Sequence, residues 1–218
     1  MTYQLLVFDW DGTLMDSTAR IAACMRQAFE DCGLSSPGNE TIRHIIGLGL
    51  DEAVASLAPL QKPETRQGIA QAYRDHYLLP KGIPTPLYEG ADSVLSTLKE
   101  VGYPLAIATG KSRRGLDRAL LETGLARYFE ATQCAEESFS KPHPAMLETL
   151  MRELNSPPHA TLMIGDSEYD MQMAIQAGAD ALAVCHGVHD ETRLRRAGAL
   201  DCLADLRGIP GWLRRHTR

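Results

Sequence analysis

The chain is punctuated by short apolar runs that stop abruptly at polar or glycine residues. Leu5–Phe8 is apolar at every position and ends in Asp9-Trp10-Asp11-Gly12-Thr13. A run without polar alternation reads as a central strand covered on both faces, the material of a parallel sheet. Four later segments repeat the theme, at 104–108, more weakly at 130–134, and at 161–164 and 181–184. Between them lie stretches of crossover-helix length. Segment 115–123 is closed by Gly124, 144–154 precedes Pro157-Pro158, and 169–176 is closed by Ala177-Gly178. Glycine or proline just past the last periodic residue is a helix stop. The alternation predicts an α/β fold with a Rossmann-like parallel sheet.

Segment 16–87 breaks that alternation. Apolar residues recur at helical spacing (Ile21, Cys24, Met25, Ala28, Phe29, then Val54, Leu57, Ala58), with no strand-like run. Pro80, Gly82, Pro84, Pro86 and Gly90 then cluster as a hinge or linker. The pattern predicts an all-helical domain at 16–87, inserted into a core made of 1–15 and 88–218. The arginine-rich tail 207–218 reads as a solvated helix or a frayed end.

Composition narrows the function classes. Apolar residues at 44% and charged ones at 23% are the balance of a soluble globular protein. Twenty-two basic against 28 acidic side chains give a net charge of -6, which argues against a nucleic-acid partner. Five cysteines (Cys24, Cys32, Cys134, Cys185, Cys202) form no C-x-x-C pair and fit a reduced, cytoplasmic setting. The first apolar run is too short for a signal peptide, and no segment approaches a membrane span, so no membrane partner is expected. A monomer or homodimer acting on a small metabolite is the expectation.

Ligands of open parallel sheets bind at the carboxyl ends of the strands. The first run ends at Asp9-x-Asp11, the second at Thr109-Gly110-Lys111-Ser112. The third is followed by Lys141-Pro142-His143-Pro144, and the fourth ends at Gly165-Asp166-Ser167-Glu168-Tyr169-Asp170. Four carboxylates, a hydroxyl and a lysine on one edge suit a hard divalent cation and a phosphate. A carboxylate attacking a phosphate must overcome anionic repulsion, which Mg²⁺ and a lysine would neutralise. Asp9 is placed as nucleophile, forming an acyl phosphate, and Asp11 as the acid and base that serves the leaving group and then water. Asp9, Asp11, Asp166 and Asp170 are the candidate metal ligands, Asp170 directly or through water. Thr109 and the Gly110 N–H would hold phosphate oxygens, and Lys141 would pair with both phosphate and Asp9. Lys111 is either a substrate contact or a solvated side chain. Arg43 either clamps the leaving group or is a surface arginine. Trp10, between the two aspartates, reads as packing, and Cys185, His186 and His189 as loop residues rather than a transition-metal site.

Asp9-Trp10-Asp11-Gly12-Thr13-Leu14 with Asp16-Ser17, Thr109, Lys141-Pro142-x-Pro144 and Gly165-Asp166-Ser167-x-x-Asp170 together resemble the haloacid-dehalogenase-like (HAD) hydrolase superfamily. The resemblance implies Mg²⁺-dependent phosphoryl transfer through an aspartyl phosphate, with a helical cap between the first two motifs. Asp11 implies a phosphatase or phosphomutase rather than a dehalogenase. Ile21 stands where the sugar-phosphate mutases of this group carry histidine, which disfavours the mutase alternative. Intact motifs disfavour a second alternative, a non-catalytic regulatory module. Segment 42–49, Ile-Arg-His-Ile-Ile-Gly-Leu-Gly, is similar to the arginine and Gly-x-Gly specificity loop of phosphoglycolate phosphatases. Thr109-Gly110-Lys111 departs from the Thr-Asn-Lys common among them.

Overall fold

The computed structural model describes residues 3–79 and 82–216. Leu5–Phe8 forms β1 and is buried at every position. The chain then enters a helical insert of α1 (Thr18–Asp31), α2 (Asn39–Arg43), α3 (Leu50–Leu57) and α4 (Pro63–Leu78). It returns through α5 (Ala91–Glu100), β2 (Leu105–Thr109), α6 (Arg113–Thr123), β3 (Ala131–Cys134) and α7 (Ala145–Glu153). There follow β4 (Thr161–Gly165), α8 (Glu168–Gln176), β5 (Asp180–Val184), α9 (Glu191–Arg196), β6 (Asp201–Leu203) and α10 (Ile209–His216).

The six strands form one parallel sheet in the order β3-β2-β1-β4-β5-β6. Val7 of β1 lies in register with Ala106 of β2 and Met163 of β4. The chain winds outward through β2 and β3 and then returns to the other side of β1. The carboxyl ends of β1, β2 and β4 therefore flank the topological switch, where such sheets bind ligands.

Strand alternation divides β1 between two cores. Leu6 and Phe8 pack with Leu105, Ile107, Leu162 and Ile164 beneath α5, α6 and α10. Leu5 and Val7 pack with Ala106, Ala108 and Met163 beneath α7 and α8. The inserted helices close on a third cluster that includes Met25, Phe29, Ile42, Val54 and Ile69. Each such fully buried side chain stabilises the fold by about 1.5–3 kcal/mol. A separate apolar cluster gives the helical insert its own cohesion.

The two chain crossings into the insert are tied to each other. The Asp16 N–H donates to the Pro86 carbonyl at 2.8 Å and the Tyr88 N–H to the Leu14 carbonyl at 3.0 Å. An antiparallel bridge between Met15 and Leu87 lies between them. Pro80, at the start of the predicted linker, lies outside the described residues. The C-terminal tail differs from the solvated end expected of it, although Thr217 and Arg218 lie outside the described residues. Trp212 and Leu213 of α10 are buried, and Trp212 stacks on Tyr3 with ring centroids 6.2 Å apart. Arginines at 214 and 215 dominate the local sequence, but the apolar face of Ile209, Trp212 and Leu213 finds the sheet. No helix among the described residues is long and apolar enough to cross a membrane.

Candidate active site

Beyond Phe8 the ladder continues for one residue, the Asp9 N–H donating to the Ile164 carbonyl at 2.9 Å. The chain then folds into a tight loop in which the N–H groups of Thr13, Leu14 and Met15 all converge on the Trp10 carbonyl. Trp10 is fully buried in the sheet core, as its reading as packing requires. Gly12 turns the loop with φ +87°, and a Cβ there would lie 2.2 Å from Asp166 Oδ2. Glycine is needed here both for its backbone conformation and for the close approach of a carboxylate.

Asp166 follows β4 directly and is completely buried. The Thr13 hydroxyl donates to its Oδ1 at 2.6 Å and the Val188 N–H to its Oδ2 at 2.8 Å. Ser167 caps α8 in a reciprocal box. Its hydroxyl and N–H donate to Asp170 Oδ2 at 2.6 and 3.1 Å, and the Asp170 N–H returns a contact to the serine oxygen. The box aims Asp170 back at the sheet. Lys141 Nζ lies 2.7 Å from Asp170 Oδ1 and 2.8 Å from Asp9 Oδ1. Asp9, Asp166 and Asp170 thus each present an oxygen within 4.8 Å of the others, all three buried.

The electrostatics are unbalanced. Three buried carboxylates share one ammonium, and Asp9 Oδ2 receives no hydrogen bond from the protein. Burial raises the Asp9 carboxyl well above its usual range; Lys141 opposes the rise, while Asp170 and Asp166 add to it. Asp166 is pushed up to about 7, by burial first and Asp170 next. Burial alone would lower Lys141, but Asp170 and Asp9 outweigh it and hold the amine protonated. Excess negative charge, all-oxygen donors and an orphaned buried oxygen together fit a hard divalent cation.

Asp11 lies outside this cluster. Its Oδ1 accepts from the Ser17 hydroxyl at 2.5 Å, and Lys111 Nζ sits 2.8 and 2.9 Å from its two oxygens. Lys111 also donates to the Tyr77 hydroxyl of α4 at 3.0 Å. Asp9, Asp11, Thr109, Gly110 and Lys111 line a cavity of about 630 Å³ roofed by α1, α3 and α4.

A family model of the haloacid dehalogenase-like hydrolases matches residues 6–184. The chain belongs to this family. It is 33% identical over 198 residues to "Probable phosphatase IndB" of Dickeya dadantii, covering 88% of this chain and 86% of that one. Over 207 residues it is 29% identical to a phosphoglycolate phosphatase of Colwellia psychrerythraea, covering 91% and 92%. The crystal structure of a predicted phosphatase from Clostridium acetobutylicum superposes with a TM-score of 0.89 at 24% identity, covering 99% and 100%. The α/β core with its helical insertion is therefore a haloacid dehalogenase-like fold. Its aspartate cluster is of the kind typical of phosphoric monoester hydrolases, and the protein is a phosphoglycolate-phosphatase-like member.

Within this hydrolase the structure brings together Asp9, Lys141, Asp166 and Asp170, and separately Asp11 and Lys111. Thr109 is buried at the end of β2, where its hydroxyl accepts the Lys111 N–H at 3.2 Å. Arg43 is not brought to the cavity; its guanidinium donates to the Gly187 carbonyl at 3.3 Å. His189 Nδ1 accepts the Glu168 N–H at 2.9 Å at the start of α8, and His186 Nε2 lies 3.0 Å from the Thr13 carbonyl. Both are structural loop residues. Sequence reasoning missed the work of Thr13, Ser17, Ser167 and Tyr77. The first two sit at fixed offsets in the first motif, a signal that was available; Tyr77 had none.

Proposed function

We propose that this protein is a Mg²⁺-dependent phosphatase that hydrolyses a small phosphomonoester through an aspartyl phosphate on Asp9. The observation that carries the reading is the Asp9 carboxylate itself. It is buried beside Lys141 at the switch point, has a free oxygen, and borders a cavity large enough for a metabolite. Asp9 and Asp166 would hold the cation, with Asp170 joining directly or through water. Bound there, Mg²⁺ supplies positive charge against the anionic phosphoryl group.

An Asp9 oxygen forms the new bond to phosphorus while the ester bond breaks, and Asp11 gives its proton to the departing alkoxide. Asp11 then removes a proton from water, whose oxygen attacks phosphorus and releases inorganic phosphate and the free Asp9 carboxylate. Lys141 neutralises Asp9 and the phosphoryl oxygens throughout, and Thr109 with the Gly110 N–H holds those oxygens. Residues 16–87 act as a cap that excludes water and contacts the leaving group. Ile21 lines the cavity and has no titratable group, which supports hydrolysis over a mutase cycle. Likeness to the Colwellia phosphoglycolate phosphatase makes phosphoglycolate the leading substrate.

The test is a phosphate-release screen over phosphoglycolate, sugar phosphates, nucleoside monophosphates and pyrophosphate, with Mg²⁺ and with EDTA. Turnover that needs Mg²⁺ and vanishes in Asp9→Asn is expected. Full activity in EDTA or in that variant would overturn the reading.

A further inference from the structure

Building on the phosphatase reading above, we propose that Lys111 selects the leaving group. Its ammonium, held between Asp11 and Tyr77, recognises a carboxylate attached directly to the ester carbon. Three observations converge on it. The Lys111 side chain is only 7% exposed, yet the residue borders the same cavity as Asp9 and Asp11. Its Nζ touches both oxygens of Asp11, the residue that must meet the leaving oxygen. And its remaining contact, Tyr77, comes from the roof of the cavity rather than from the sheet.

The distances define what it can reach. In its acid role Asp11 stands one hydrogen bond, about 2.7 Å, from the ester oxygen. With Nζ 2.8 Å from Asp11 Oδ1, the ammonium lies within about 5.5 Å of that ester oxygen. A carboxylate attached to the ester carbon has its own oxygens roughly 3 Å from the ester oxygen. A carboxylate so attached can therefore come within a charge-assisted contact of Nζ. Such a contact to an ammonium whose side chain is only 7% exposed discriminates more strongly than one at the surface.

The other cations near the cavity are poorly placed for this. Arg74 is exposed and faces Asp51 at 3.4 Å. Arg114 is exposed at the rim, and Arg43 is turned onto Gly187. The clamp role that the sequence left open for Arg43, beside that of a surface arginine, is assigned here to Lys111. Tyr77 is itself fixed, its carbonyl accepting from Arg20 at 2.7 Å, with the Arg20 guanidinium and Lys111 Nζ 4.9 and 4.8 Å from its ring centre. Tyr77 completes the ammonium's surroundings only while α4 is docked, so anion recognition and cap position are linked.

Phosphate release by the wild-type protein with Mg²⁺ would be compared on 2-phosphoglycolate, its neutral isostere glycolamide phosphate, and p-nitrophenyl phosphate. The expected kcat/KM is at least about tenfold higher on phosphoglycolate than on the isostere. Lys111→Met should collapse that ratio toward one, chiefly through KM on the carboxylate substrate, and Lys111→Arg should restore part of it. A wild-type ratio near one would overturn the proposal, as would a folded Lys111→Met that keeps the wild-type ratio. Should Lys111→Met not fold, the wild-type ratio and Lys111→Arg decide. Absence of turnover on all three esters would overturn the phosphatase reading itself, and this proposal with it.

Discussion

Asp9 is held at a cost to the folded state, since burial disfavours its charged form and only Lys141 opposes that. Asp9→Asn removes one of three crowded carboxylates, so phosphate release should fall at least about a thousandfold while the metal-free melting temperature stays level or rises. Parallel activity and thermal-unfolding measurements on the variant check both. Gly12→Ala should do the reverse to stability. Its Cβ would lie 2.2 Å from Asp166 Oδ2 on a backbone at φ +87°, a strain of about 1–3 kcal/mol read by denaturant unfolding. The aspartates and Lys141 were legible in the sequence because each closes or follows an apolar strand and strand ends converge. The places of Thr13 and Ser17 in the first motif were visible too, but the partner of Thr13 was not, because its hydroxyl meets Asp166, 153 positions away, only once the sheet forms. Tyr77 is similar: nothing in the chain connects it to Lys111, 34 positions later, until α4 is laid over the cavity.

Between elements, the seam of insert against core is built from backbone. Gly110 faces the Gly47 and Leu48 carbonyls so closely that a Cβ would meet them at 2.7 and 2.3 Å. The Gly49 N–H donates to Ser140 Oγ at 2.7 Å, next to Lys141. On the opposite side the Tyr169 hydroxyl donates to the His44 carbonyl at 2.7 Å. The departure from Thr-Asn-Lys at Gly110 gains a physical reason here: in this docked arrangement any side chain would strike the 47–48 backbone. Gly110→Ala should therefore hold the insert away from the core. Activity should fall at least about tenfold while core stability is kept, with a larger radius of gyration in solution scattering. Unchanged activity would mean that the seam is not closed during turnover. Fold elements were legible where burial leaves a run of apolar residues, as in β1, β2, β4 and β5. Edge strand β6 is three half-buried residues, Asp201–Leu203, and owes its existence to pairing with β5. For α10 the docking, rather than the helix, hid behind its arginines, because three buried side chains, Ile209, Trp212 and Leu213, suffice to seat it.

For the whole molecule, proton binding and metal binding should oppose each other. An unfolded aspartate titrates near 3.9, whereas folded Asp166 is raised to about 7 and Asp9 is raised well above its usual value. Between these limits the metal-free folded protein holds more protons than the unfolded chain, so these two groups make stability fall as pH rises. Their contribution is fully present below about pH 3.9 and, for Asp166, is lost as pH climbs through about 7. Asp31, Glu137, Glu168, Asp201 and Asp205 shift the other way, lowered mainly by hydrogen bonds from side-chain or backbone donors, so they favour the folded state at higher pH. A single melting curve mixes both sets. The difference between curves with and without Mg²⁺ does not, because the cation competes only with protons on the cluster that binds it. That difference should be small at pH 5 and grow toward pH 8, reaching roughly 5–10 °C at a hundredfold excess over the dissociation constant. Asp166→Asn should flatten it at every pH. An increment independent of pH in the unmodified protein would mean that Mg²⁺ binds away from these buried carboxylates.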